Sequence, residues 1–153
     1  MTAVAQSAQN KERIVKLLLD RPDVDVNAHD FPGTTALAMA VAKGYYYVLS
    51  VLLRRNDIDI NTTDVQGRTP LILAALFERV NLVQILLDHK EIKTDVQDMF
   101  GATALSYITQ RLRFNGGEKD KKRDIFNQLR QKRKRKLKIE LDSSSEHSTK
   151  RRA

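Results

Sequence analysis

Three histidines and two pairs of aspartates are the residues of this 153-residue chain best suited to acid–base or metal chemistry. His29 precedes Asp30, His89 follows Asp88, and His147 stands near the C-terminal end. A histidine beside a carboxylate is the smallest general-base unit, yet a loop His next to Asp is also ordinary turn chemistry, and these three are far apart in sequence. H-E-x-x-H, a phosphate-binding Gly loop and G-x-S-x-G are all missing. Asp23/Asp25 and Asp57/Asp59 have a cation-loop spacing but lack the remaining ligands and the Gly of a calcium loop. Cysteine is absent, which excludes disulfides, thiolate zinc sites and thiol catalysis. No catalytic residue, metal or cofactor is therefore expected, and an enzyme is the weakest reading. The two Asp pairs lie 34 residues apart, so a repeating structural role explains them better than acid–base work.

That interval organises the chain. Asp30-Phe31-Pro32-Gly33-Thr34-Thr35-Ala36-Leu37 returns as Asp64-Val65-Gln66-Gly67-Arg68-Thr69-Pro70-Leu71 and as Asp98-Met99-Phe100-Gly101-Ala102-Thr103-Ala104-Leu105, with Gly33, Gly67 and Gly101 spaced by 34. Such a period marks a stack of identical supersecondary units. D-x-x-G is turn chemistry, because Asp bonds local backbone and Gly supplies positive φ. Thr35, Thr69 and Thr103 stand where a helix begins and can cap it, and Pro70 suits a first turn. The Ala-rich segments 37–43 and 71–77 predict short inner helices. Tyr47–Arg54 and Val80–Asp88 carry apolar residues at i, i+3, i+4 and predict amphipathic second helices. Pro22–Asn27 and Asn56–Asn61 alternate apolar and polar, which predicts an extended run into the next turn.

With G-x-T-P-L, the Ala74-Ala75 pair, the V-x-x-L-L-L helix and the D-V-N ending in register, the chain resembles the ankyrin-repeat family over roughly residues 1–112. The resemblance implies an all-α solenoid of about three to four helix-turn-helix units with short β-turn fingers. It departs from the pattern where Ala38, Ile72 and Ser106 replace the usual His, and where Glu78 and Leu112 replace the inter-helix Gly kept at Gly44. The expected divisions are 1–29 (partial first repeat or cap), 30–63, 64–97, 98–131 (divergent C-terminal cap with an insertion) and 132–153 (basic, Ser-rich disordered tail). Met1 maps onto Thr35, so the first repeat starts without its finger; a natural cap and a piece of a longer array are both open. In the last repeat a loop at 113–117 precedes a helix over about 118–136 with Ile125, Phe126 and Leu129 as its buried stripe.

In the resembled family, finger tips and the exposed end of the first helix contact partner proteins. Carried over residue by residue, these are Phe31, Pro32, Thr34, Ala42 and Lys43; Val65, Gln66, Arg68, Leu76 and Phe77; and Met99, Phe100, Ala102, Gln110 and Arg111. Phe31, Val65, Met99 and Phe100 are apolar residues in turns, where solvation would favour polar ones. A ladder of them would make a recognition strip. The competing reading folds each onto its neighbouring finger. The expected function is protein–protein interaction, with an effector-like masking of a partner's binding site as the alternative.

The net charge of +8 is unevenly spread. Residues 1–110 carry 11 Lys/Arg against 13 Asp/Glu, and residues 111–153 carry 16 against 6. The run Lys132-Arg133-Lys134-Arg135-Lys136 should repel itself, stay solvated and remain available to an acidic partner. It looks like a nuclear-import signal, which would favour a nuclear location and an import carrier as partner. Nonspecific nucleic acid, an anionic membrane surface and a plain solubility tail are the alternatives. No aromatic residue follows Lys132, so the tail offers single-stranded bases nothing to stack on. Leu137-Lys138-Ile139-Glu140 resembles a modifier-conjugation site on Lys138, Ile139-Glu140-Leu141 a modifier-binding strand, and Ser143 with Glu146 an acidic-kinase site, against a polar tail that does none of this. No apolar run reaches the roughly 18 residues of a membrane span, and no secretory signal pattern opens the chain. A monomer is expected.

Overall fold

The computed structural model describes residues 13–30, 33–114 and 119–149. Seven helical segments appear among them: α1 (residues 13–19), α2 (Ala36–Lys43), α3 (Tyr46–Leu52), α4 (Pro70–Leu76), α5 (Val80–Leu87), α6 (Ala104–Phe114) and α7 (Lys119–Thr149). No strand occurs among the described residues, and one isolated antiparallel bridge joins His29 and Thr35.

The helices pair as α2–α3, α4–α5 and α6–α7, and α2, α4 and α6 stack into one inner row. Small residues allow that close row: Ala38, Ala40, Ala74, Ala75 and Ala104 are all buried in it. Between the rows lies the apolar core of Leu37, Val41, Leu49, Leu52, Leu71, Leu82 and Leu86. As the periodicity predicts, α7 closes the end of the stack through Ile125 and Leu129, with Phe126 partly buried beside them.

Each predicted Thr cap forms. The hydroxyls of Thr35, Thr69 and Thr103 accept the backbone N–H of Ala38, Ile72 and Ser106 at 3.2, 3.3 and 3.3 Å, satisfying orphan donors of each first turn. The three fingers are superimposable in their bonding. Asp30, Asp64 and Asp98 donate their N–H to Thr34, Arg68 and Ala102 at 3.0, 3.1 and 3.0 Å. Their Oδ1 atoms accept the same residues' N–H at 2.6, 2.9 and 2.9 Å. Gly33, Gly67 and Gly101 sit at φ 90°, 73° and 71°, a region closed to most side chains.

Two expectations on secondary structure change. The alternating stretches do alternate in burial, with Ile58 and Ile60 inside and Asp57 and Asp59 outside. They form turns rather than an extended run, because Asp25 and Asp59 accept the N–H of Asn27 and Asn61 at 2.9 and 2.8 Å. The last helix, expected to end near Lys136, continues to Thr149, so the segment read as a disordered tail is helical through that residue. No Gly or Pro follows Gly117, and the Lys, Arg, Leu and Gln that fill 119–139 are strong helix formers.

Candidate functional site

The candidate face is built on the fingers, which hold each other by backbone. Met99 donates its N–H to the Gln66 carbonyl at 2.9 Å. A Cβ on Gly67 would come within 3.3 Å of the Asp98 Cα, and one on Gly33 within 3.0 Å of a Val65 methyl. The second and third fingers are thus joined through backbone, and the turn at Gly33 packs against Val65 of the second.

Apolar side chains project from these fingers. Val65, Met99 and Phe100 are 71%, 65% and 72% exposed. Val65 also leans on Gly33, so one methyl packs on the neighbouring finger while most of the side chain stays exposed. Phe77, just past α4, is 47% exposed, while Leu76 is half-buried. Lys43 is exposed in the last turn of α2, Ala42 half-buried beside it, and Gln110 exposed in α6. Gln66, Thr34 and Ala102 are half-buried in the fingers. Phe31 and Pro32 lie outside the described residues, as does the side chain of Arg111.

Arg68, named among the finger-tip contact residues, is engaged within its own finger. Its guanidinium bonds Asp64 at 2.7 and 2.8 Å and is only partly exposed. Burial works to raise the Asp64 carboxyl pKa; the Arg68 side chain and the N–H groups of Arg68 and Gln66 outweigh it and hold the carboxyl below its ordinary range. In the next finger the buried Asp98 has no arginine at the matching position and takes the Tyr107 hydroxyl instead, at 2.6 Å. Burial again opposes ionisation, and Tyr107, Ala102 and Phe100 together hold that carboxyl low. The same bond pushes the Tyr107 phenol up.

Sequence reasoning missed a stitch between repeats. Asn27 donates to the Asp57 carbonyl at 2.7 Å and accepts the Asp59 N–H at 2.8 Å. Asn61 does the same one repeat later, with Glu91 at 2.9 Å and Lys93 at 2.8 Å. Their 34-residue spacing is the signal that could have found them. The paired carboxylates are structural, as the repeat spacing implies: Asp23 binds Arg21 and Asp57 binds Arg55, each in an exposed pair. In both carboxyls the arginine bond is the main influence and lowers the pKa. Arg55 also caps α1 by donating to the carbonyls of Leu19 and Arg21 at 2.8 Å. His89 spends Nδ1 on the N–H of Glu91 at 3.3 Å, a turn role. No cluster that could hold a metal occurs among the described residues.

The basic run is not uniformly solvated, which corrects the expectation that all five cations are free. It is helical, and Lys132 and Lys136, one turn apart, both face the stack. Lys132 donates to the Leu87 carbonyl at the end of α5. Lys136 bonds Asp95 at 2.6 Å, and this bond chiefly lowers the Asp95 pKa. Asp95 holds the register of Asn27 and Asn61, and the contact to the next element is here made by the α7 lysine. Arg133, Lys134 and Arg135 stay exposed, as does Lys138. The side chains at 140–149, including Ser143, Glu146 and His147, lie outside the described residues. No helix among the described residues is long and apolar enough to cross a membrane.

The family model of ankyrin repeats (many copies) matches residues 37–87, which span α2 through α5. No curated protein matches the chain significantly. The family is one of non-enzymatic modules that generally mediate protein–protein interaction. The period, the fingers and the capped inner helices agree with that match: residues 37–87 are similar to ankyrin repeats, and the all-α fold of the described residues is consistent with that family.

Proposed function

We propose that this chain binds another protein along its finger edge, with Val65, Met99 and Phe100 as apolar anchors and Phe77, Gln66 and Lys43 beside them. The observation that carries the reading is the exposure of three large apolar side chains on backbone-bonded fingers. Water solvates such side chains poorly, and burying each against a partner is worth roughly 1.5–3 kcal/mol before ordering costs. The bond between the second and third fingers keeps those costs low, since their backbone is already in place. Arg68 contributes by holding its finger in shape through Asp64 rather than by reaching outward. Phe31, Pro32 and Arg111 belong to the proposed strip on the strength of their sequence positions alone. The test is a comparative capture with mass-spectrometric readout. The triple variant Val65→Glu, Met99→Glu, Phe100→Glu should lose the partners that the wild-type chain retains, with unchanged helical circular dichroism. An identical partner list rejects the proposal.

A second proposal concerns the exposed cations Arg133, Lys134 and Arg135, which are available to an acidic carrier and support a nuclear location. Replacing these three by Gln keeps the Lys132 and Lys136 contacts intact. A fluorescent fusion of that variant should lose nuclear enrichment relative to the wild type; unchanged enrichment rejects the import reading.

A further inference from the structure

Beyond its contacts with the stack, α7 lies over the loop at residues 90–95, and an open groove of about 590 Å³ runs between them. Its floor is aliphatic, with Ile92 from the loop and Ile139 from α7, the latter 68% exposed. Its banks are basic: Lys90 and Lys93 on the loop side, Lys132, Arg135 and Lys136 on the helix side. Asp95 is the one carboxylate in the lining, and Lys136 already neutralises it. Lys90 has Glu91 at 3.9 Å, and Lys132 is committed to the Leu87 carbonyl. Lys93 and Arg135, one on each bank, have no carboxylate against them among the described residues.

We propose that this groove is a second docking surface, separate from the finger edge, for an acidic segment of another protein that carries aliphatic side chains. Its carboxylates would pair with Lys93 and Arg135, and its aliphatic groups would cover Ile92 and Ile139. Charge complementarity selects the acid, because two cations with no carboxylate against them, one on each bank, attract an anion. The floor selects a peptide over a nucleic acid. A phosphate backbone would leave the isoleucines uncovered, and no aromatic side chain in the groove offers a base a stacking surface. Because Lys136 ties α7 to the loop and Lys132 ties it to the end of α5, the groove exists before the ligand arrives and little ordering is required.

Fluorescence anisotropy on the whole chain at near-physiological salt tests this with three probes of equal charge. One is a labelled peptide of about twelve residues interleaving Glu and Leu, one is oligoglutamate, and one is oligothymidylate. The Glu/Leu peptide should bind at least about tenfold more tightly than oligoglutamate. Lys93→Glu combined with Arg135→Glu should weaken that peptide about tenfold or more, since reversing a facing charge both removes attraction and adds repulsion. Ile139→Ser should erase the preference for Glu/Leu over oligoglutamate while leaving oligoglutamate binding unchanged. All three positions are exposed, so folding is retained and circular dichroism confirms it. Equal binding of the two peptides, no effect of the double charge reversal, or tighter binding of oligothymidylate than of the Glu/Leu peptide each overturns the proposal.

Discussion

Asp98 and Tyr107 illustrate how one repeat solves locally what another solves differently. In the second finger Arg68 satisfies Asp64; in the third, alanine stands at the matching position and the Tyr107 hydroxyl reaches back instead. Tyr107→Phe should therefore cost about 1–3 kcal/mol, the penalty of leaving a buried acceptor short of a partner, read from urea unfolding. The sign of the pH dependence follows from the directions of the shifts. Asp98 and Asp64 have lowered pKa values, so their contribution is fully present above the unfolded carboxylate value near 4 and is lost as pH falls through the folded values. Tyr107 has a raised pKa, so its share is present below about 10 and is lost on alkaline titration. Tyr107→Phe should shift the acid unfolding midpoint upward and flatten the alkaline limb. Glu78 is a second residue-scale case. It holds φ 55°, the left-handed turn that Gly44 occupies one repeat earlier. A side chain held there costs about 1–2 kcal/mol in backbone conformation.

Fingers and stitches are the elements that turn three helical hairpins into one body. Gly67 and Gly101 share a left-handed backbone, but only Gly67 has a neighbouring backbone within 4 Å. Gly67→Ala should consequently be the more damaging change, exceeding the roughly 1–2 kcal/mol expected of Gly101→Ala from conformation alone. The comparison of the two variants by chemical denaturation isolates the contact between fingers. Along the loops, Asn61 makes two bonds to the next repeat, whereas Asp95 makes an exposed ion pair with Lys136. Asn61→Ala should cost about 1–3 kcal/mol, for two hydrogen bonds worth about 0.5–1.5 kcal/mol each, and Asp95→Ala no more than about 1 kcal/mol. Similar losses for the two would show that the lysine is as strong a stitch as the asparagine.

Across the whole molecule, α7 has two jobs divided along its length. Its first half supplies Ile125 and Leu129 to the core, and its far half lies over the 90–95 loop with Leu137 and Ile139 largely exposed. Leu129→Ala should destabilise the chain by about 2–5 kcal/mol, the range for emptying a fully buried leucine site. Leu137→Ser combined with Ile139→Ser should instead leave the unfolding midpoint nearly unchanged, since both side chains are exposed. Calorimetry on the two variants separates the capping role of the helix from its role as one wall of a surface groove. A solenoid passes stability between nearest neighbours, so loss of this cap should first loosen α6 and leave α2 and α3 protected in hydrogen exchange.

The sequence by itself determined the period, the stacking of helical hairpins, the Thr caps, the finger turns and the apolar residues placed in those turns at Val65, Met99 and Phe100. These rest on bonds within about five residues or on a pattern repeated in register, so local chemistry carries them. The tertiary structure decided what depends on residues 30 to 45 positions apart: the Asn27 and Asn61 stitches, the return of Lys132 to Leu87 and of Lys136 to Asp95, and the groove those lysines wall. A run of five cations carries no mark of which two will find an acceptor. That choice is made by the face a helix turns to the stack, and it is fixed only once Ile125 and Leu129 have been buried.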